Sequence, residues 1–127
     1  MSMMRRTYNI YRHQAARAAE AGRFLPYTLN DIRAAAEQHT NCHYCRCDLT
    51  HANISLDHRL PVSRGGAWTL TNMVVCCERC NQTKGSLTED EFHALRNLLM
   101  HLGNHAYNDV MKRLRAGARR AFGRRKP

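Results

Sequence analysis

Two pairs of cysteines with the same internal spacing, Cys42-His43-Tyr44-Cys45 and Cys77-Glu78-Arg79-Cys80, are the residues of this chain best suited to a defined chemistry. Thiolates bind zinc tightly in a tetrahedral arrangement, and a two-residue spacer lets both sulfurs of a pair face one ion. Cys42, Cys45, Cys77 and Cys80 are therefore expected to form a closed structural zinc site, the alternative being four buried reduced cysteines. Cys47 and Cys76 could each replace a neighbouring ligand, but Cys76 would break the two-residue spacing, and both are read as non-ligands. The gap between the pairs is wider than in a simple zinc ribbon, so it must house something else.

That interval holds Leu56-Asp57-His58-Arg59-Leu60-Pro61-Val62-Ser63-Arg64-Gly65-Gly66 and Asn72, and Asn81 and Lys84 follow the second pair. In order and spacing these residues resemble the HNH endonucleases, whose ββα-metal fold cuts nucleic-acid backbones with one divalent cation; the resemblance covers roughly residues 28 to 95. It implies that His58 is the general base taking a proton from the attacking water. Imidazole suits that task because its ordinary pKa of about 6.5 leaves it largely neutral near physiological pH. The resemblance further implies that Asp57 and Asn81 hold a hard, oxygen-seeking cation, most naturally magnesium, with manganese or nickel as substitutes. Asn72, the middle position of the signature, would orient the loop around His58; as a favoured capping residue it could equally cap a helix beside Thr71. Asp57 and His58 are neighbours in an extended segment, so both can serve one site only if the chain bends at that step.

The elements that must carry these residues fall into three regions. Residues 1–27 read as a basic appendage, helical from about Asn9 to Ala21 with Gly22 as C-cap. Residues 28–103 read as the nuclease domain. Thr28 and Asp31 suggest a capped helix over Leu29 to Gln38, and Ile54 to Asp57 and Leu60 to Val62 read as short extended segments. Thr71 could cap a helix from Asn72 to about Cys76, and a turn or helix should carry Cys80 to Lys84. Thr88 and Glu91 make a second capping box, after which Phe92, Leu95, Leu98, Leu99 and Leu102 form an apolar stripe ended by Gly103. Residues 104–127 read as a basic helix or tail, with eight Lys or Arg and no acids from Met111 onwards.

The chain has 127 residues and a formal net charge of +10. One domain of this size buries only a modest core, so a metal staple would help it. The charge favours a polyanionic partner, nucleic acid first and an anionic membrane surface second, with DNA not separated from RNA; Arg64, Lys84, Arg119, Arg120, Arg124 and Arg125 are the candidate phosphate contacts. No apolar run is long enough for a membrane span and no signal-peptide core opens the chain, which points to a cytoplasmic location. His43 and His51 read as polar surface residues, and Tyr44 and Trp68 as packing residues around the first pair and the loop, with stacking on bases or sugars as the alternative.

The expectation is thus an α+β, zinc-stabilised ββα-metal nuclease that hydrolyses DNA. Its compact size resembles small phage and bacterial HNH proteins, some of which work beside a packaging terminase. Two rivals remain: a non-catalytic zinc module that binds nucleic acid through basic arms, and an iron-binding rubredoxin-like redox protein.

Overall fold

The computed structural model describes residues 1–118. Arg119, Arg120, Arg124 and Arg125 lie outside the described residues.

Ser2 caps the first helix, α1 (Met3–Glu20), by accepting a hydrogen bond from the Arg5 amide. The helix ends in a turn with Gly22 at φ +73°, where Arg23 N–H reaches back to Ala18 and Gly22 N–H to Ala19. That is a left-handed glycine termination, and it matches the expected stop. The start is six residues earlier than Asn9, because Ser2 supplies a cap that the apolar pattern does not reveal. From α1, Ile10 enters the core, and the Arg6 guanidinium donates to the Ile54 carbonyl at 2.9 and 3.2 Å. Thr28 and Asp31 form the reciprocal capping box of α2 (Leu29–Gln38).

The centre is an antiparallel pair of strands, β1 (Ile54–His58) and β2 (Met73–Cys77), followed directly by α3 (Glu78–Lys84). The register sets Leu56 opposite Val75, Asp57 opposite Val74 and His58 opposite Met73. Alternation then divides the side chains between two faces. Ile54, Leu56, Met73 and Val75 pack with Ile10, Tyr27 and Ile32 of the N-terminal elements. Val74 and Cys76 pack with Cys42, Tyr44, Cys80 and Phe92.

Residues 73–77 are a strand, not the helix expected from Asn72 to Cys76. Both faces of β2 are covered, so all five residues are buried and the segment reads as an unbroken apolar run. Such a run does not distinguish strand from helix by periodicity. Leu60 to Val62 also departs from expectation: the chain bends at Arg59 and Leu60, then makes a 3-10 turn over Val62–Arg64.

Thr88 and Glu91 form the capping box of α4 (Glu89–Leu99). Phe92 and Leu99 are buried and Leu95 packs partly against the core, but Leu98 is 67% exposed and Leu102 is exposed beyond the helix end. Six residues advance a helix by about 600°, which turns Leu98 well away from the Phe92 face. A last helix, α5 (Asn104–Ala118), packs along α3 and buries Met111. Among the described residues no helix is long and apolar enough to cross a membrane.

Candidate active site and metal centre

The four expected sulfurs converge. Cys42, Cys45, Cys77 and Cys80 have ligand atoms within 4.8 Å of one another, and Cys47 and Cys76 are not part of the group. The Cys45 and Cys77 sulfurs are 3.8 Å apart. Four sulfurs placed tetrahedrally about 2.3 Å from a zinc ion would be separated by about 3.8 Å, so the donor set and its size fit zinc. The same distance is far beyond the ~2.05 Å of a disulfide, and all six cysteines are free. Backbone amides of Tyr44, Cys45 and Cys77 donate to the Cys42 sulfur, and that of Cys80 to the Cys77 sulfur. Hydrogen bonds from the Cys77 and Cys80 thiols hold Cys42 below the ordinary thiol range, and their bonding to Cys42 pushes Cys77 and Cys80 above it. Four thiolates cannot share this space without a compensating cation, and that is the service a zinc ion would provide.

The cysteine pairs also position the polar site. Tyr44, inside the first pair, donates its hydroxyl to Asp57 Oδ2 at 2.5 Å. Lys84, at the end of the helix that starts with the second pair, places its ammonium 3.1 Å from the same oxygen and donates to the His58 carbonyl at 2.9 Å. Asp57 is buried, and burial pushes its carboxyl above the usual range against the opposing pull of Tyr44 and Lys84. Lys84, a candidate phosphate contact by sequence, is only 1% exposed. A buried ammonium needs a carboxylate, and Asp57 supplies it. Removing one member of such a pair strands the other and costs about 3–5 kcal/mol. Lys84→Met should accordingly lower the denaturation midpoint in urea by an amount corresponding to that loss; an unchanged midpoint would show that the pair contributes nothing to stability.

Asn81 sits one turn before Lys84. Its amide Nδ2 donates to Ser55 Oγ at 2.7 Å and to the Leu56 carbonyl at 3.1 Å, which turns the acceptor Oδ1 away from those two groups. Ser55 and Asp57 lie on the same face of β1, so Asn81 packs against the face that carries the carboxylate. Asp57 and Asn81 can thus each offer an oxygen to a hard cation.

His58 contacts other partners. Strand pairing continues through it and the bend comes one step later, at Arg59 and Leu60, so Asp57 and His58 diverge at the strand end. The expected bend thus falls one residue later, at the strand end, and a shared substrate would have to meet Asp57 and His58 there from their two faces. The imidazole meets the Trp68 ring edge-on, with centroids 4.9 Å apart, and its buried Nε2 has no hydrogen-bond partner among the described residues. Burial, together with the positive charges of Arg17 and Lys84, pushes His58 down to about 4.

Asn72 holds the loop between the strands. Its Oδ1 accepts from the Leu60 amide, and its Nδ2 donates to the carbonyls of Leu60 and Ala67, all at 3.0 Å. Gly66 lies in the same loop, where a Cβ would fall 1.8 Å from the Leu60 carbonyl oxygen. No side chain fits there, so the path that buries Trp68 beside His58 requires glycine. Arg64 is on the surface, paired with Glu91.

Sequence reasoning missed three contributors. Arg17 is close enough to His58 to depress its basicity, although 41 residues separate them along the chain. Tyr44 bonds the carboxylate, a role that neither packing nor stacking on bases anticipates. A cleft of about 330 Å³ is lined in part by Asp31, His39, His43, Arg46 and Arg59, a polar grouping beside the hairpin that no linear pattern marks.

Residues 42–96 match the profile of the HNH endonuclease family. The matched segment spans the cysteine pairs, the two strands, α3 and most of α4. The segment is also similar to the CRISPR-associated endonuclease Cas9 of Corynebacterium diphtheriae, 36% identical over 55 residues that cover 42% of this chain and 5% of that much longer protein.

Proposed function

We propose that this chain is a metal-dependent endonuclease that hydrolyses phosphodiester bonds of DNA at the end of β1. The observation that carries the reading is the place of the His58 imidazole at the end of β1, adjacent in sequence to a carboxylate that is itself held in place by Tyr44 and Lys84. A neutral imidazole keeps one ring nitrogen free to accept a proton, which is what a general base needs.

In the proposed reaction the His58 imidazole takes a proton from water as the water oxygen attacks phosphorus. The bond from phosphorus to the 3′ oxygen then breaks, leaving 3′-hydroxyl and 5′-phosphate ends. Asp57 and Asn81 would hold a magnesium or manganese ion, which when bound neutralises the phosphate and stabilises the leaving oxygen. Tyr44 and Lys84 fix the carboxylate, Asn72 and Gly66 fix the loop, and Trp68 restrains the imidazole. Pre-arrangement of this kind contributes to rate because the reacting groups need little reorganisation. Arg17 and Arg64, both accessible, are the proposed phosphate contacts, and the +10 charge brings the polyanion to the protein.

The test is incubation of the purified chain with supercoiled plasmid plus magnesium, manganese or chelator. Nicked or linear products with metal, and none with chelator, are expected. Binding without cleavage under every metal condition would favour the non-catalytic zinc module. The pH profile adds a second check. Protonation removes the base, so cleavage must fall as pH falls; with His58 depressed to about 4, that loss should occur below the ordinary histidine value of 6.5. Loss of half the rate at pH 7 or above would contradict the assigned base.

A further inference from the structure

We propose that His43, Glu89 and His93 form a second metal site, for a transition-metal dication, where α4 docks against the first cysteine pair. It is independent of the zinc sulfurs and of the nuclease reading. The three side chains offer ligand atoms within 4.8 Å of one another and all three are partly buried. His43 Nε2 is 2.6 Å from Glu89 Oε1, and the rings of His43 and His93 have centroids 6.2 Å apart.

The ligands come from well-held elements. Glu89 and His93 are four residues apart on α4, which places them on one helix face. The His43 backbone amide donates to Val75 of β2 at 3.0 Å. The two elements are held together by Arg96, which donates to the Tyr44 carbonyl at 2.6 Å, and by Phe92, edge-on to Tyr44 at 5.1 Å. Arg59 bridges both carboxylate oxygens of Glu89 at 3.2 and 3.3 Å. An outer partner on a ligating carboxylate orients it toward the ion.

Two imidazoles and one carboxylate are borderline donors that leave further coordination positions open. That set suits zinc, cobalt, nickel or copper, whereas magnesium and calcium prefer all-oxygen surroundings. On binding, the ion would replace the hydrogen bond between His43 and Glu89 and tie the start of α4 to the first pair. A hydrogen-bonded His43 and Glu89 alone would need no third ligand at His93.

The experiment uses the full chain with zinc already at its cysteines. Cobalt(II) is added at micromolar free concentration, bound metal is counted after dialysis, and the visible spectrum is recorded. Wild type should take up cobalt with weak ligand-field bands and no thiolate charge-transfer band. His93→Ala should bind one equivalent fewer than wild type, and so should His93→Gln, which retains a polar side chain should alanine disturb folding. His101→Ala, an exposed histidine outside the cluster, should bind as wild type does. Counting the difference between variants keeps the result separate from any cobalt held by Asp57 and Asn81. Equal uptake by wild type and both His93 variants, an equal loss in His101→Ala, or uptake accompanied by a thiolate charge-transfer band would each overturn the proposal.

Discussion

Replacing His58 with alanine should lower the plasmid-nicking rate by about 10²–10⁴-fold, the usual contribution of a positioned general base. Zinc content, far-UV circular dichroism and DNA affinity should remain close to wild type. The separation of effects follows from where the residue sits. Its side chain makes no hydrogen bond to the protein among the described residues, and its main packing partner is the edge of Trp68. The strand pairing and the bond from Lys84 use the His58 backbone, which alanine retains. His58→Asn, closer in volume, should be equally inactive and shows whether a packing gap contributes. A His58→Ala protein that nicks plasmid at the wild-type rate would remove His58 from the mechanism, whatever its fold.

Cys77→Ser should leave the chain unfolded or aggregated at 25 °C and free of zinc. Apparent zinc-binding free energies of small cysteine sites are about 10–16 kcal/mol, against a net stability of about 5–15 kcal/mol for a whole domain. Removing one thiolate therefore threatens the entire structure. Serine makes the test specific. Cys77 is the N-cap of α3 and accepts the Cys80 amide, a task serine performs well. It is also a strand residue opposite Ile54, a role serine tolerates. The loss would thus fall on metal binding and not on the cap. Metal analysis and thermal melts would measure it, and a cooperatively folded, zinc-free Cys77→Ser protein would sink the clamp. Colour separates the iron alternative: zinc thiolate sites are colourless, whereas ferric thiolate sites are not.

Local signals were legible wherever a few adjacent residues decide the outcome. Thr28 with Asp31, Thr88 with Glu91, and Gly22 after α1 each act within a single turn, and the structure shows all three. The two Cys-x-x-Cys spacings likewise imply that each pair faces one ion, because the constraint is internal to the pair. Recognition of the HNH pattern rested on the same kind of information, a set of residue types at fixed offsets.

What the sequence by itself determined, then, was the donor set and the local punctuation: which cysteines pair, where helices are capped, and which short segment carries Asp57, His58, Asn72 and Asn81. The tertiary structure decided where their side chains face. Burial of β2 on both sides erased its period and made Met73–Cys77 look like part of a helix. Continuation of the strand through His58 set Asp57 and His58 against different partners. Lys84 became a buried counter-ion because α3 packs across β1, a placement that no count of surface lysines can anticipate. The charge of Arg17 acts on His58, and His43, Glu89 and His93 meet, only because distant helices dock on the hairpin and the first pair. Packing brings together residues far apart in the chain, and linear spacing carries no record of that.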